Sequence, residues 1–262
     1  ARMFVLAATE CLRAAGGADI ARTPVLLLGP ESPRLASSPD RMQRRLAVFE
    51  GAAGRPVRAE SCFTRGGSNG LVEALFRARE LLSSTAIPAV LVAGADSFLN
   101  PGDINDALSD ERLLTSGCSD GFIPGEAAAC LLVTRGPGKD ARSAGALTIT
   151  GLGSADESET RQADLCSRGV GLASAIRKAL DEAGLPAHAM HARYTDISAE
   201  PYFFEESSYA WTRVLRRPSP PGYKMFTPVT RVGHVGCAMG PLLLAIVLDE
   251  ARRGRAAGPN TL

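Results

Sequence analysis

Residues 90–134 constrain the fold of this chain more than any other segment. An apolar run at residues 90–97 ends in Ala-Gly-Ala-Asp-Ser, and an irregular segment then leads to the sequence DGFIPGEAAA at residues 120–129. A second apolar run continues from there to residue 134. Short apolar runs bounded by glycine and aspartate indicate buried strands. The segment therefore predicts two strands of a buried sheet, joined by a long irregular connection.

Helix and strand signals alternate along the rest of the chain. Because strands separated by helices favour a parallel sheet that is covered on both faces, the pattern predicts an α/β fold. Helices are expected at residues 4–15, 41–50, 69–82, 171–184, 203–214 and 238–253, and strands at residues 24–29, 55–62, 89–93, 127–134, 146–153 and 192–197.

Composition excludes several classes of protein. The chain has 29 basic and 28 acidic side chains, so no overall positive field would draw it to nucleic acid. No apolar run approaches the ~20 residues of a membrane span, and a cytoplasmic protein is expected. The six cysteines form no C-x-x-C pair, which indicates reduced thiols and neither a disulfide framework nor a zinc site.

Three motifs together resemble the β-ketoacyl synthase (3-oxoacyl-ACP synthase) branch of the thiolase superfamily. The first is the strand followed by DGF-x-x-GEAAA, and the second is GHVGCAMG at residues 233–240, which is similar to the family's GH-x-x-GAAG. The third is the segment at residues 68–78, which matches a helix that the family opens with its nucleophilic cysteine. The resemblance implies a thiolase-like fold with two similar halves, residues 1–140 and 141–262, in one compact unit with layered α-β-α-β-α arrangement.

The resemblance also assigns catalytic positions, and three of the four differ from the family. Ser68 stands where the cysteine is expected, whereas His234 matches the histidine that helps to bind and polarise the thioester carbonyl. The segment that corresponds to the family's second histidine, residues 194–201, contains no histidine, and Val229 occupies the lysine position. These departures argue against condensation chemistry.

Ser68 has two interpretations. The start of a helix favours negative charge, but it cannot ionise a serine, so a nucleophilic Ser68 needs a general base, for which His234 is the candidate. Serine is equally a preferred residue at a helix N-cap, and Gly66-Gly67 would supply the turn before it. Cys62 is a rival nucleophile, although a thiol in this apolar context favours a core role.

The remaining candidate pocket residues are Asp196, Glu200, Gly233 and Gly236. The two carboxylates lie at the end of a predicted strand, where they could act as a base or bind a cation, or could cap the next helix and pair with Arg213 or Arg231. His188 and His191 are three residues apart, but no cysteine or carboxylate of suitable spacing joins them, so a surface loop is favoured over a metal site.

Two functions follow from these residues, and neither requires a cofactor. The first is a catalytically degenerate condensing-enzyme homologue of fatty acid or polyketide biosynthesis, which binds an acyl group, an acyl carrier protein or another protein. The second is an acyltransferase or thioesterase-like enzyme in which Ser68 and His234 act on acyl-CoA or acyl-ACP. The resemblance implies a homodimer or a heterodimer with a condensing-enzyme paralogue. Typical condensing enzymes are about half as long again, so a processed or partly ordered version of a longer chain is one expectation, and whether terminal residues are missing stays open.

Overall fold

The computed structural model describes residues 1–17, 19–31, 39–136, 146–161 and 167–262, with residues 39–41 and 68 described by their backbone alone. It divides into two compact units. The first contains Ala1–Ile104, Pro124–Ala146 and His234–Asp249, and the second contains Asn105–Ile123, Leu147–Gly233 and Glu250–Leu262.

The first unit contains a four-stranded sheet in the order β2-β1-β3-β4. Strand β1 is parallel to β2 and β3, and β4 is antiparallel to β3. The elements that build this unit are α1 (Arg2–Ala14), β1 (Val25–Gly29), α2 (Pro39–Ala53), β2 (Cys62–Arg65), α3 (Gly70–Leu82), β3 (Ala89–Ser97), the start of α4 (Pro101–Ser109), β4 (Glu126–Thr134) and most of α8 (Met239–Arg252).

Strands β1 and β3 are buried on both faces, because β1 and residues 89–95 of β3 are apolar throughout. Successive side chains of a strand point to opposite faces. Leu27 and Leu91 therefore join the core that contains Phe4 and Phe49 of the first two helices. Leu26, Leu28, Val90 and Val92 face the other way and pack with Ala74 and Ala78 of α3.

The second unit contains a small parallel sheet and two larger helices. Its elements are α5 (Val170–Ala183), β5 (Ala192–Tyr194), α6 (Pro201–Val214), β6 (Lys224–Phe226) and α7 (Val229–Val232). Helices α5 and α6 pack around a third apolar core that includes Ile176, Leu180, Ala210 and Val214.

Two strand predictions were wrong. The strand expected at residues 55–62 lies further along the chain, as β2. Residues 146–153 form no strand and instead run along α5, where a Cβ on Gly151 or Gly153 would lie 2.0 Å from the carbonyl oxygen of Ala179 or Ala175. The side chain of Glu182 fixes this segment by accepting a hydrogen bond from the Leu152 amide at 2.8 Å.

Two structural findings concern membrane spans and cysteines, which the sequence analysis considered. Among the described residues, no helix is long and apolar enough to cross a membrane. Five cysteines are free thiols, and Cys166 lies outside the described residues.

Candidate functional site

The GH motif meets the sheet at the carboxyl end of β3. A short 3-10 turn, Gly236–Ala238, follows His234, and we call it the cysteine turn because Cys237 is at its centre. A Cβ on Gly94 of β3 would lie 2.3 Å from the carbonyl oxygen of Cys237 and 2.8 Å from Cα of Ala238. Only a glycine at position 94 allows the backbone of β3 and the cysteine turn to approach so closely.

Asp96 holds the cysteine turn in place. Its side chain is 2% exposed, and its Oδ2 atom accepts a hydrogen bond from the amide of Cys237 at 3.1 Å. A Cβ on Gly236 would lie 2.1 Å from the same oxygen, and Gly236 has a φ of +53°, which glycine adopts without strain. Gly236 therefore serves the backbone of this turn, where sequence analysis expected a pocket residue.

His234 is positioned by the turn that precedes β4. Its carbonyl oxygen accepts a hydrogen bond from the amide of Gly125 at 3.1 Å, and the two segments form a short parallel bridge between Pro124 and His234. The imidazole ring packs on Phe98, with ring centroids 4.9 Å apart. The DGF-x-x-GEAAA and GH motifs, more than 100 residues apart in the chain, thus meet at one place.

A second 3-10 turn, Gly67–Asn69, precedes α3 and contains Ser68, so we call it the serine turn. It packs against the cysteine turn, which brings the backbone at Ser68 to the segment that follows His234. Gly66 begins the serine turn with a φ of +154°, and a Cβ there would lie 2.9 Å from Cα of Gly70. Asn69, and not Ser68, is the N-cap of α3, so the cap interpretation of Ser68 was wrong.

Burial holds three thiols of this unit protonated, those of Cys237, Cys11 and Cys130. Burial raises the pKa of Cys237 to about 12, with a further contribution from the charge of Asp96, and its Sγ atom donates to the carbonyl oxygen of Leu28 at 3.3 Å. Burial also raises the pKa of Cys11 and Cys130. Cys62 is the first residue of β2, beside Leu26 of β1, and it packs partly against the core on the α3 side.

The carboxylates Asp196 and Glu200 belong to the second unit. Glu200 is 6% exposed and accepts two hydrogen bonds from Arg112, at 2.8 and 3.3 Å, and one from the hydroxyl of Ser198 at 3.0 Å. The sequence had suggested Arg213 or Arg231 as its partner, and the structure shows Arg112 instead. Glu200 occupies the N-cap position of α6 without a side-chain capping bond, so its role there is the ion pair with Arg112.

Gly233 ends α7 with a φ of +75°, and its amide donates to the carbonyl oxygen of Val229 at 2.9 Å. Asp196 is half-buried, and its charge helps to raise the pKa of Glu206. Within the described part of the chain, no group of three or more histidine, cysteine, aspartate or glutamate side chains has a geometry that would hold a metal ion.

Sequence reasoning did not predict Asp96 and Phe98 as parts of this site. The signal for Asp96 was a single carboxylate inside an otherwise apolar strand, since a buried charge needs hydrogen-bond donors nearby. Phe98 gave no signal, because an aromatic residue after a strand is common in any core.

No protein-family model matches the chain, and no curated protein matches it. Solved structures do match, and three of them each cover 95% of the chain. One is the ketosynthase from module 6 of the bacillaene synthase of Bacillus subtilis 168, with 16% identity and a TM-score of 0.71. Another is a complex of a type II polyketide acyl-carrier protein with its ketosynthase bound to the hexaketide, one chain of which matches with 16% identity and a TM-score of 0.74. The third is the complex of the ketosynthase ApeO with its chain length factor ApeC from Xenorhabdus doucetiae, one chain of which matches with 18% identity and a TM-score of 0.68.

The chain has a ketosynthase fold. The thiolase-like α/β fold expected from the three motifs is thereby confirmed. The chain covers 47% of the bacillaene ketosynthase, 71% of the matching chain in the hexaketide complex and 67% of the matching chain in the Xenorhabdus doucetiae complex. At this level of identity the likeness describes the fold of the chain and leaves its activity to be argued from its own residues.

Proposed function

We propose that this ketosynthase-fold chain is a binding subunit of a fatty acid or polyketide system, and that it does not catalyse decarboxylative condensation itself. The observation that carries the proposal is the residue at the nucleophile position, which is Ser68 where the resemblance leads one to expect a cysteine. The thiol of the neighbouring cysteine turn does not replace it, because burial raises the pKa of Cys237 to about 12 and thioester exchange requires a thiolate.

Other residues support the same proposal. The family resemblance assigns the nucleophile position to Ser68, and a serine there would need both a general base and a way to stabilise the carbanion. Val229 and residues 194–201 lack the lysine and the second histidine that the resemblance leads one to expect. Glu200, in that segment, is already neutralised by Arg112.

The proposed partner is an acyl carrier protein or a condensing-enzyme paralogue in the cytoplasm. Two of the similar structures contain a ketosynthase together with its acyl-carrier protein or with its chain length factor. A subunit that resembles a chain length factor would use the fold to pair with an active ketosynthase. The alternative is a homodimer, in which two copies of this chain pair with each other.

One observation favours a second candidate function, acyl transfer by Ser68 with His234. The serine turn and the cysteine turn are in contact, so the backbone of Ser68 is near the histidine segment. The backbone N–H groups at the start of α3 could also stabilise an oxyanion. In this reaction, the Ser68 hydroxyl would attack a thioester, pass its proton to a base and release the thiol of coenzyme A or carrier protein.

Intact-mass spectrometry separates the two functions. The parent protein and the variants Ser68→Ala and Cys62→Ala are incubated with acetyl-, malonyl- and longer acyl-CoA and with the corresponding acyl carrier protein thioesters. We expect no acyl adduct on any of the three proteins. An adduct that disappears only in Ser68→Ala would establish the acyltransferase and overturn the binding proposal.

Binding is measured on the same samples. Isothermal titration calorimetry with holo- and acyl-acyl carrier protein should detect saturable binding to the parent and an equal response from Ser68→Ala, because the proposed role needs no nucleophile. Acylation of Ser68 together with loss of binding in Ser68→Ala would contradict the proposal.

A further inference from the structure

A groove in the second unit belongs to none of the motifs discussed so far. It lies between the C-terminal half of α5, the connection that follows that helix and the residues just after α6, and its volume is about 400 Å³. This is within the range of small-molecule sites, roughly 300–1,000 Å³, and too small for a folded partner. Its lining residues are Arg177, Leu180, Asp181, Leu185, Pro186, Ala187, His188, Val214, Arg216 and Arg217.

The floor of the groove is apolar and rigid. Leu180 and Val214 are each less than 10% exposed and belong to the third apolar core, which also contains Ala187. Leu185 packs against the same core from the groove side and is half-buried. A ligand in the groove would therefore rest on side chains that are already fixed by the packing of α5 on α6.

The rim of the groove is positively charged. Three guanidinium groups, those of Arg177, Arg216 and Arg217, face one carboxylate, that of Asp181. Arg177 donates from Nη2 to the carbonyl oxygen of Arg213 at 2.8 Å, which ties α5 to the end of α6 and covers an exposed carbonyl of that helix.

Arg216 and Arg217 are exposed, and within the described ranges of the chain their side chains have no hydrogen bond or ion pair. Two adjacent guanidinium groups beside an apolar floor are well suited to an anion, because an arginine can donate two hydrogen bonds to one carboxylate, sulfonate or phosphate group.

We propose that this groove binds a small amphiphile with one anionic head group and a short apolar body. The head group lies between Arg216 and Arg217, and the body lies on Leu180, Leu185 and Val214. No residue that lines the groove belongs to the GH motif, and the proposal does not depend on the function proposed above.

The fluorescence of Trp211 allows binding in the groove to be measured. It is the only tryptophan of the chain and lies on α6, one turn before Val214 of the groove. The probe is 8-anilinonaphthalene-1-sulfonate, a sulfonate with an apolar body that accepts excitation energy from tryptophan. We expect saturable energy transfer from Trp211 to the dye, and octanoate should displace the dye at concentrations at which octanol does not.

The double variant Arg216→Gln/Arg217→Gln should weaken dye binding by about tenfold or more, because the charge-assisted hydrogen bonds are lost. Both side chains are exposed, so the variant is expected to fold. The matched control is Arg252→Gln/Arg253→Gln at the end of α8, which makes the same change in charge elsewhere and should leave the transfer unchanged.

Three results would overturn the proposal. The first is that energy transfer to the dye in the parent does not saturate. The second is that the Arg216→Gln/Arg217→Gln variant binds the dye as tightly as the parent. The third is that octanol displaces the dye as well as octanoate does. The last result would describe an apolar patch without an anion site.

Discussion

At the residue scale, burial and a nearby arginine shift the pKa values of two neighbouring carboxyl groups in opposite directions. Glu206 and Glu159 both contact Tyr202, whose hydroxyl donates to the carbonyl oxygen of Glu159 and lies 3.5 Å from Oε1 of Glu206. Burial raises the pKa of Glu206, and the charges of Glu157 and Asp196 raise it further. A hydrogen bond from Arg168 lowers the pKa of Glu159.

These shifts predict opposite pH dependences. The folded state binds the Glu206 proton more tightly than the unfolded state, so this residue's contribution to stability falls as the pH rises from the unfolded pKa through the folded pKa. Glu206→Gln should therefore raise the free energy of unfolding at about pH 7–8, and the gain should vanish below about pH 4. Urea unfolding between these pH values provides the measurement.

Glu159→Gln is the matched comparison. The lowered pKa means that the stabilising contribution of Glu159 is present at neutral pH and is lost as the pH falls through the folded pKa. This variant should be less stable than the parent at neutral pH, and the difference should disappear in acid. The same sign of change in both variants at pH 7 would contradict the assignment.

At the element scale, the candidate site is a junction of two short turns with the end of one strand. The serine turn and the cysteine turn contact each other, and β3 contacts the cysteine turn at Gly94. The packing leaves no room for a side chain at Gly94. The positions of Ser68 and His234 therefore depend on a residue that takes no part in any chemistry.

Gly94→Ala tests this dependence. The new methyl group would lie 2.3 Å from the carbonyl oxygen of Cys237, so the cysteine turn must move away from β3. We expect the free energy of unfolding to fall by about 1–3 kcal/mol or more, as measured by urea unfolding.

The control is Gly51→Ala on the exposed side of α2. A Cβ at position 51 would have nothing within 4 Å, so the change should instead stabilise the helix by up to about 1 kcal/mol. Equal effects of the two substitutions would mean that the close approach at Gly94 does not hold the junction.

At the scale of the whole molecule, the sheet of the first unit ends at β2. Within the described residues, β2 pairs on one side only, with β1, and Phe63 on this strand is 38% exposed. Edge strands with an open row of backbone groups pair readily with another chain. The family resemblance implies dimers that extend a sheet across two subunits, and β2 is the strand that we propose for this role.

Phe63→Asp should prevent that pairing. If the chain pairs with itself, light scattering after gel filtration should give twice the chain mass of 27.4 kDa for the parent and a single chain mass for the variant. Leu6→Asp, at a position that is 61% exposed on α1, should leave the parent's mass unchanged. A parent that is a stable monomer would rule out the homodimer and direct the search to a paralogous partner.

The sequence alone determined the fold class and most of the elements around the site. The short apolar runs at β1 and β3 indicated buried strands, and the glycine-rich motifs indicated where the chain turns. Periodicity also located α3, α5 and α6 to within a few residues of their observed ends. These features are local, because the period with which side chains are buried depends on residues that are close together in the sequence.

The tertiary structure alone decided which distant groups meet and what state they are in. Glu200 pairs with Arg112, 88 positions away, and the amide of Cys237 donates a hydrogen bond to Asp96, 141 positions away. The pKa of Cys237 depends on burial that the packing of the cysteine turn on β3 creates. Pairing and desolvation depend on distances through space, which the order of residues along the chain does not contain.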